Sequence, residues 1–109
     1  MNQEIKSEKM PAIWEIILDQ VGHMKINGVP LLRYLGGKSF VGSGDDREGE
    51  LILRFAKNWT VFIYYDSGMD AYDVRIHKGK FPKDVPVFCV RGIYVDQLAE
   101  VIHRGMGSP

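Results

Sequence analysis

Gly36-Gly37-Lys38-Ser39 has the ending of a phosphate-binding loop, in which backbone amides and a lysine cradle nucleotide phosphates. The full motif needs a glycine five positions before its Gly-Lys-Ser, and that position holds Leu32. It also needs a preceding strand and a long following helix, neither of which the flanking residues favour. The glycine pair is therefore read as a helix stop. The carboxylates Asp45, Asp46, Glu48 and Glu50 follow a Gly-Ser-Gly and offer oxygen ligands on a flexible frame, but without the Asp-x-Asp-x-Asp-Gly spacing of a calcium loop. A solvated acidic loop is the expectation. His23, His77 and His103 lack metal-ligand spacing and stand beside no nucleophile, so each is expected at the surface or capping an element. Cys89, between Phe88 and Val90, is expected to be a small buried hydrophobe.

A more persistent pattern lies between Glu50 and His77. The runs ELILRFA, KNWTVFIYYDS and GMDAYDVRIHKG alternate with a period of two and are rich in branched and aromatic residues, the signature of strands with one covered face. Leu51, Leu53 and Phe55 share a face in the first run, Trp59, Val61, Ile63 and Tyr65 in the second, and Tyr72, Val74 and Ile76 in the third. The opposite face collects Arg54, Phe62, Tyr64, Arg75 and His77, together with Asp66 and Asp73. Arginines among aromatics on a sheet can stack bases and meet phosphates. The same residue types dominate protein-binding hot spots, and they also form plain cross-strand pairs.

The flanking sequence supplies helices. Pro11 suits a first helical turn, Ile13, Ile16, Ile17 and Val21 recur at helical spacing, and Gly22 is placed to cap, so a helix is predicted from about Pro11 to Val21. Asn27-Gly28 is a turn dipeptide, with Met24 and Ile26 as a candidate short strand before it. Leu31, Leu32 and Leu35 make one or two helical turns, KSFVGSG is a candidate edge strand, and SGDDREGE is expected to be a loop. VPVFCVRGIY, apolar on both faces over Val87 to Val90, predicts a central or doubly covered strand. Tyr94, Leu98, Val101 and Ile102 share one face of a final helix, with Asp96 at its start and His103, Arg104 and Gly105 at its end. The prediction is an α+β domain: an antiparallel sheet of four to five strands with N-terminal and C-terminal helices packed on one face.

With 109 residues the chain has room for one domain, expected over residues 10–105, with a flexible N-terminus at 1–9 and a tail at 106–109. Fourteen basic and fourteen acidic residues balance, which disfavours a protein held to nucleic acid mainly through phosphates. No apolar run approaches the ~20 residues of a membrane span, and MNQEIKSEKM lacks the apolar segment of a signal peptide. One cysteine permits no internal disulfide, in keeping with a cytoplasmic location.

Three local patterns resemble a small domain found in phage and other mobile-element proteins. They are Leu35-Gly36-Gly37-x-x-Phe40, Asp70-Ala71-Tyr72-Asp73-Val74-Arg75 and Tyr94-x-Asp96-Gln97-Leu98-x-Glu100-Val101, in order and in register between Leu31 and Gly105. The resemblance implies origin and brings no catalytic residues with it. This chain departs from the pattern in its acidic loop after Phe40 and in its N-terminal helix.

The sequence thus leads to a non-enzymatic accessory protein of phage or plasmid type, acting on a host protein, for instance an inhibitor of a defence system, through Asp45, Asp46, Glu48 and Glu50. The alternative is a nucleic-acid-binding module using Arg54, Tyr64, Arg75, Lys78, Lys80 and Lys83. No cofactor is expected, and an exposed KSFVGSG edge would favour a homodimer.

Overall fold

The computed structural model describes residues 11–34, 36–79 and 86–106. The expected N-terminal arm and the last three residues of the tail lie outside them, as do Lys80 and Lys83. The order of elements is α1 (Ile13–Gly22), β1 (Lys25–Ile26), β2 (Val29–Pro30), α2 (Leu31–Tyr34), β3 (Gly37–Gly44), β4 (Glu48–Phe55), β5 (Trp59–Asp66), β6 (Ala71–Lys78), β7 (Phe88–Ile93) and α3 (Leu98–Gly105). Strands β3 to β7 form one antiparallel sheet in sequence order, and β1 and β2 form a separate small hairpin. The chain is the α+β domain that its residue pattern predicts.

Period-two alternation in the central strands sends Leu51, Leu53, Phe55, Val61, Ile63, Tyr72, Val74 and Ile76 to one side. There α1 covers β3 and β4, and α3 covers β6 and β7. Ile13, Ile17 and Val21, four residues apart, meet the sheet from α1; Leu98, Val101 and Ile102 meet it from α3. Ile16 falls off the stripe and is exposed. Met106, assigned by sequence to the tail, is buried in the core because its N–H continues the helical ladder to the Ile102 carbonyl.

Two glycines fix how the helices approach. Gly36 has φ +72°, and a Cβ there would meet the Ala56 Cβ at 2.8 Å, so the chain can turn from α2 into β3 only with glycine. Gly42 lies beneath the Trp14 ring, which occupies the space its side chain would need. This lets α1 seat directly on β3. The first N–H of α1, at Ile13, donates to the Asp45 carbonyl at 2.8 Å and ties the helix start to the β3–β4 turn.

Three expectations are corrected. The VPVFCVRGIY segment is not central: its strand β7 is the outer edge of the sheet, Val87 is 60% exposed and Cys89 is exposed. Apolar residues on both faces were compatible with an edge because only Phe88, Val90 and Ile93 turn to the helices. The acidic segment is not one loop, since β3 runs to Gly44 and β4 starts at Glu48, leaving Asp45 to Arg47 as a tight turn. His77 is not a surface residue: it lies on β6, flanked by β5 and β7, and is 4% exposed.

Candidate protein-binding face

No described helix lies on the other side of the five-stranded sheet. The register builds that side in cross-strand rows. Ser43, Glu50, Tyr64 and Asp73 form one row; Val41, Ile52, Phe62, Arg75 and Cys89 form the next; Ser39, Arg54, Thr60 and His77 form a third. Beyond the first row, Glu48, Asp66 and Ala71 close the acidic end. The middle row crosses all five strands and carries Val41, Ile52 and Phe62, of which Val41 is 60% exposed and the other two are partly exposed.

Local contacts hold this array in place. Tyr64 donates its hydroxyl hydrogen to Glu48. Arg75 donates to Glu50 at 3.1 Å and stacks its guanidinium on Phe62, 4.5 Å from the ring centroid. Phe62 in turn meets the His77 ring edge-on at 5.1 Å. Asp73 accepts a hydrogen bond from the Gly92 N–H at 3.0 Å, where β7 breaks register with β6. A shallow groove of about 390 Å³ beside Tyr64, Asp66, Asp73 and Arg91 adjoins another of about 280 Å³ over Glu50, Arg75 and Cys89.

The electrostatics follow from these pairs. The hydrogen bond to Glu48 stabilises the neutral phenol and pushes Tyr64 up to about 12. The bond from Tyr65 to Asp70, 2.7 Å, does the same for Tyr65, also to about 12. In the β3–β4 turn, the N–H groups of Arg47 and Glu48 donate to Asp45 Oδ1 at 2.9 and 3.1 Å and hold that carboxyl below its ordinary value. Burial raises Tyr72, which donates to Gln20 at 2.8 Å.

The two residue sets drawn from the sequence as alternatives prove to be interleaved. Glu48 and Glu50 stand on the same face as Arg54, Tyr64 and Arg75 and are partnered by two of them. Asp45 turns its carboxylate back onto its own turn, while Asp46 is exposed on it. The acidic residues therefore do not form one outward strip. Lys78 separates from the arginines: it pairs with Trp59 on the helix-covered side, with Nζ 4.3 Å from the centre of the Trp59 ring. Among the described residues no group of three or more His, Cys, Asp or Glu side chains could hold a metal ion.

Several residues of this face were missed in the sequence. Cys89, expected to be buried, is exposed because it points away from the helices on an edge strand. Ile52 and Arg91 gave a usable signal: Ile52 has the parity of Arg54, and Arg91 that of Cys89. Val41 could be placed only once β3 was paired with β4. No described helix is long and apolar enough to cross a membrane. No family model matches the chain, and comparisons with curated proteins and with solved structures find no significant match.

Proposed function

We propose that this protein is a non-enzymatic binding module that docks a protein partner on the open face of its sheet. The observation that carries the reading is the row Val41, Ile52, Phe62, Arg75 and Cys89, apolar for three strands and finished by an arginine already stacked on an aromatic ring. An apolar centre containing aromatic and arginine groups, rimmed by charge, is the anatomy of a protein interface. The pairs with Glu48, Glu50 and Phe62 preorganise the rim and reduce the ordering cost of association. The partner's surface would place apolar groups over Ile52 and Phe62 and cationic groups over the end formed by Glu48, Asp66 and Asp46. The resemblance to mobile-element domains makes a host protein the natural partner, with action by occupying its surface.

Nucleic acid is the second reading, favoured by Arg54 and Arg91, which pair with no carboxylate among the described residues. Against it stand Glu48, Glu50, Asp66 and Asp73 on the same face, which would repel a phosphate track. The deciding experiment compares the wild-type chain with Ile52→Asp, a partly exposed position where a charge leaves the core untouched. Capture of one defined protein from host lysate, lost in Ile52→Asp while the thermal midpoint is kept, supports the reading. Equal capture by both chains removes the central row from it. Oligonucleotide binding by fluorescence titration that weakens steeply with salt and survives Ile52→Asp selects the second reading instead.

A further inference from the structure

Among the described residues nothing pairs with the outer edge of β3. Edge strands are normally short, bulged, or studded with proline or inward charge, because their unpaired backbone groups template another strand. Edge β7 follows that rule: its register with β6 shifts between Tyr72 and Val74, Gly92 adopts φ +72°, and the Gly92 N–H is taken by Asp73. Edge β3 spans eight residues, its irregularities lie at its two ends, a register shift between Gly37 and Ser39 and φ +107° at Gly44, and Phe40 and Val41 are 48% and 60% exposed at its centre.

The phase of the backbone groups is fixed by the β3–β4 turn. The Asp45 N–H donates to the Glu48 carbonyl at 2.9 Å, so alternation turns the backbone groups of Ser43, Val41 and Ser39 toward β4. Those of Gly42 and Phe40 are left facing outward. Two antiparallel β3 edges can then pair only where Phe40 and Gly42 supply the hydrogen bonds and side chains of like face meet. One such register sets a two-fold axis at Val41. It places Val41 opposite the second copy's Val41 as a non-hydrogen-bonded pair, where side chains come closest, and Ser39 opposite the second copy's Ser43.

That register also solves a packing problem. Phe40 falls opposite the second copy's Gly42, a position with no side chain of its own and with the Trp14 ring lying over it. Within one chain Phe40 already sits 6.2 Å from Trp14 at a 35° tilt. Across the axis it would meet the other Trp14 as well, closing a four-ring cluster. Registers with Phe40 or Gly42 on the axis would instead oppose Val41 with Ser39 or Ser43, and neither would set Phe40 opposite the second copy's Gly42 and its Trp14 ring.

We propose that a second copy of this chain pairs antiparallel along β3, about an axis through Val41, to give a continuous ten-stranded sheet. The inference does not rest on what binds the open face; because Val41 belongs to both, the test reads mass and cross-linking and not partner capture. It is tested in a Cys89→Ser background with Val41→Cys, oxidised by diamide and followed by non-reducing electrophoresis and light scattering. A doubled mass for the unmodified chain, together with rapid disulfide capture through Val41→Cys but not Phe40→Cys, is the expected result. Val41→Lys, at an exposed site, should return the chain to a single copy with its thermal midpoint kept, apart from the loss of concentration dependence. A chain that stays a monomer at high concentration overturns the proposal. So does a dimer that Phe40→Cys links faster than Val41→Cys, or one that survives Val41→Lys.

Discussion

Thr60 and His77 face one another across β5 and β6, both under 5% exposed, and neither Thr60 Oγ1 nor either His77 ring nitrogen has a hydrogen-bond partner among the described residues. They sit on the open side of the sheet, at the end where Arg54 neighbours Thr60. An unsatisfied buried hydroxyl weakens a fold, and an isosteric methyl removes the penalty. Thr60→Val should therefore stabilise the protein by about 1 kcal/mol in denaturant unfolding. A loss of similar size would show that the hydroxyl is bonded in solution.

Arg75 illustrates how little of a surface ion pair is charge alone. Its bond to Glu50 joins side chains 44% and 26% exposed, so the pair should contribute no more than about 1 kcal/mol and fade with salt. Stacking on Phe62 is less sensitive to salt and should add about 0.5–1 kcal/mol. A double-mutant cycle between Arg75→Ala and Phe62→Leu should retain coupling at high salt where the cycle between Arg75→Ala and Glu50→Gln has lost its own. Arg75→Lys should behave more like Arg75→Ala than charge would suggest, because an ammonium lacks the flat fork.

Tyr64 and Tyr65 hold their protons more tightly in the folded chain than in the unfolded one, each at about 12 against an ordinary 10. A group raised in the fold contributes its stability in full below the unfolded value and loses it as pH climbs. Unfolding midpoints should therefore be flat up to about pH 10 and fall between 10 and 12. In a tyrosinate absorbance titration, Glu48→Gln should move one late-titrating phenol back toward 10 and Asp70→Asn another. If neither moves, those carboxylates are not the cause.

The meander could be inferred before any coordinates because alternation is a local property: Leu51, Leu53 and Phe55 reveal their face without reference to a partner. The same parity already placed Glu48 and Glu50 beside Arg54. Treating the acidic residues as a loop concealed this, since two glycines within Gly42-Ser43-Gly44 suggested flexibility where Trp14 and the β3–β4 pairing demand small residues. Position across the sheet was not legible in the same way. Nothing within Val87 to Val90 distinguishes an edge strand with one exposed apolar face from a central strand, so β7 and Cys89 were misplaced together. His77 erred in the opposite direction: it has the parity of the exposed Arg75, and nothing in that parity shows that it is 4% exposed and packed edge-on against Phe62.

Asp45 joins the acidic turn to the helix that covers the sheet. Its carboxylate accepts from the N–H groups of Arg47 and Glu48, its own N–H donates to the Glu48 carbonyl, and its carbonyl receives the first N–H of α1 from Ile13. Asp45→Ala removes both side-chain bonds and should lower the thermal midpoint. Asp45→Asn keeps an accepting oxygen and should lower it less. Because the fold holds the carboxyl below its ordinary 3.8, the charge stabilises the protein above that value and ceases to do so as pH falls through the folded one. The gap between wild type and Asp45→Asn should be full at neutral pH and narrow below 3.8. A gap that persists unchanged into acid would mean that the turn depends on the oxygen's position and not on its charge.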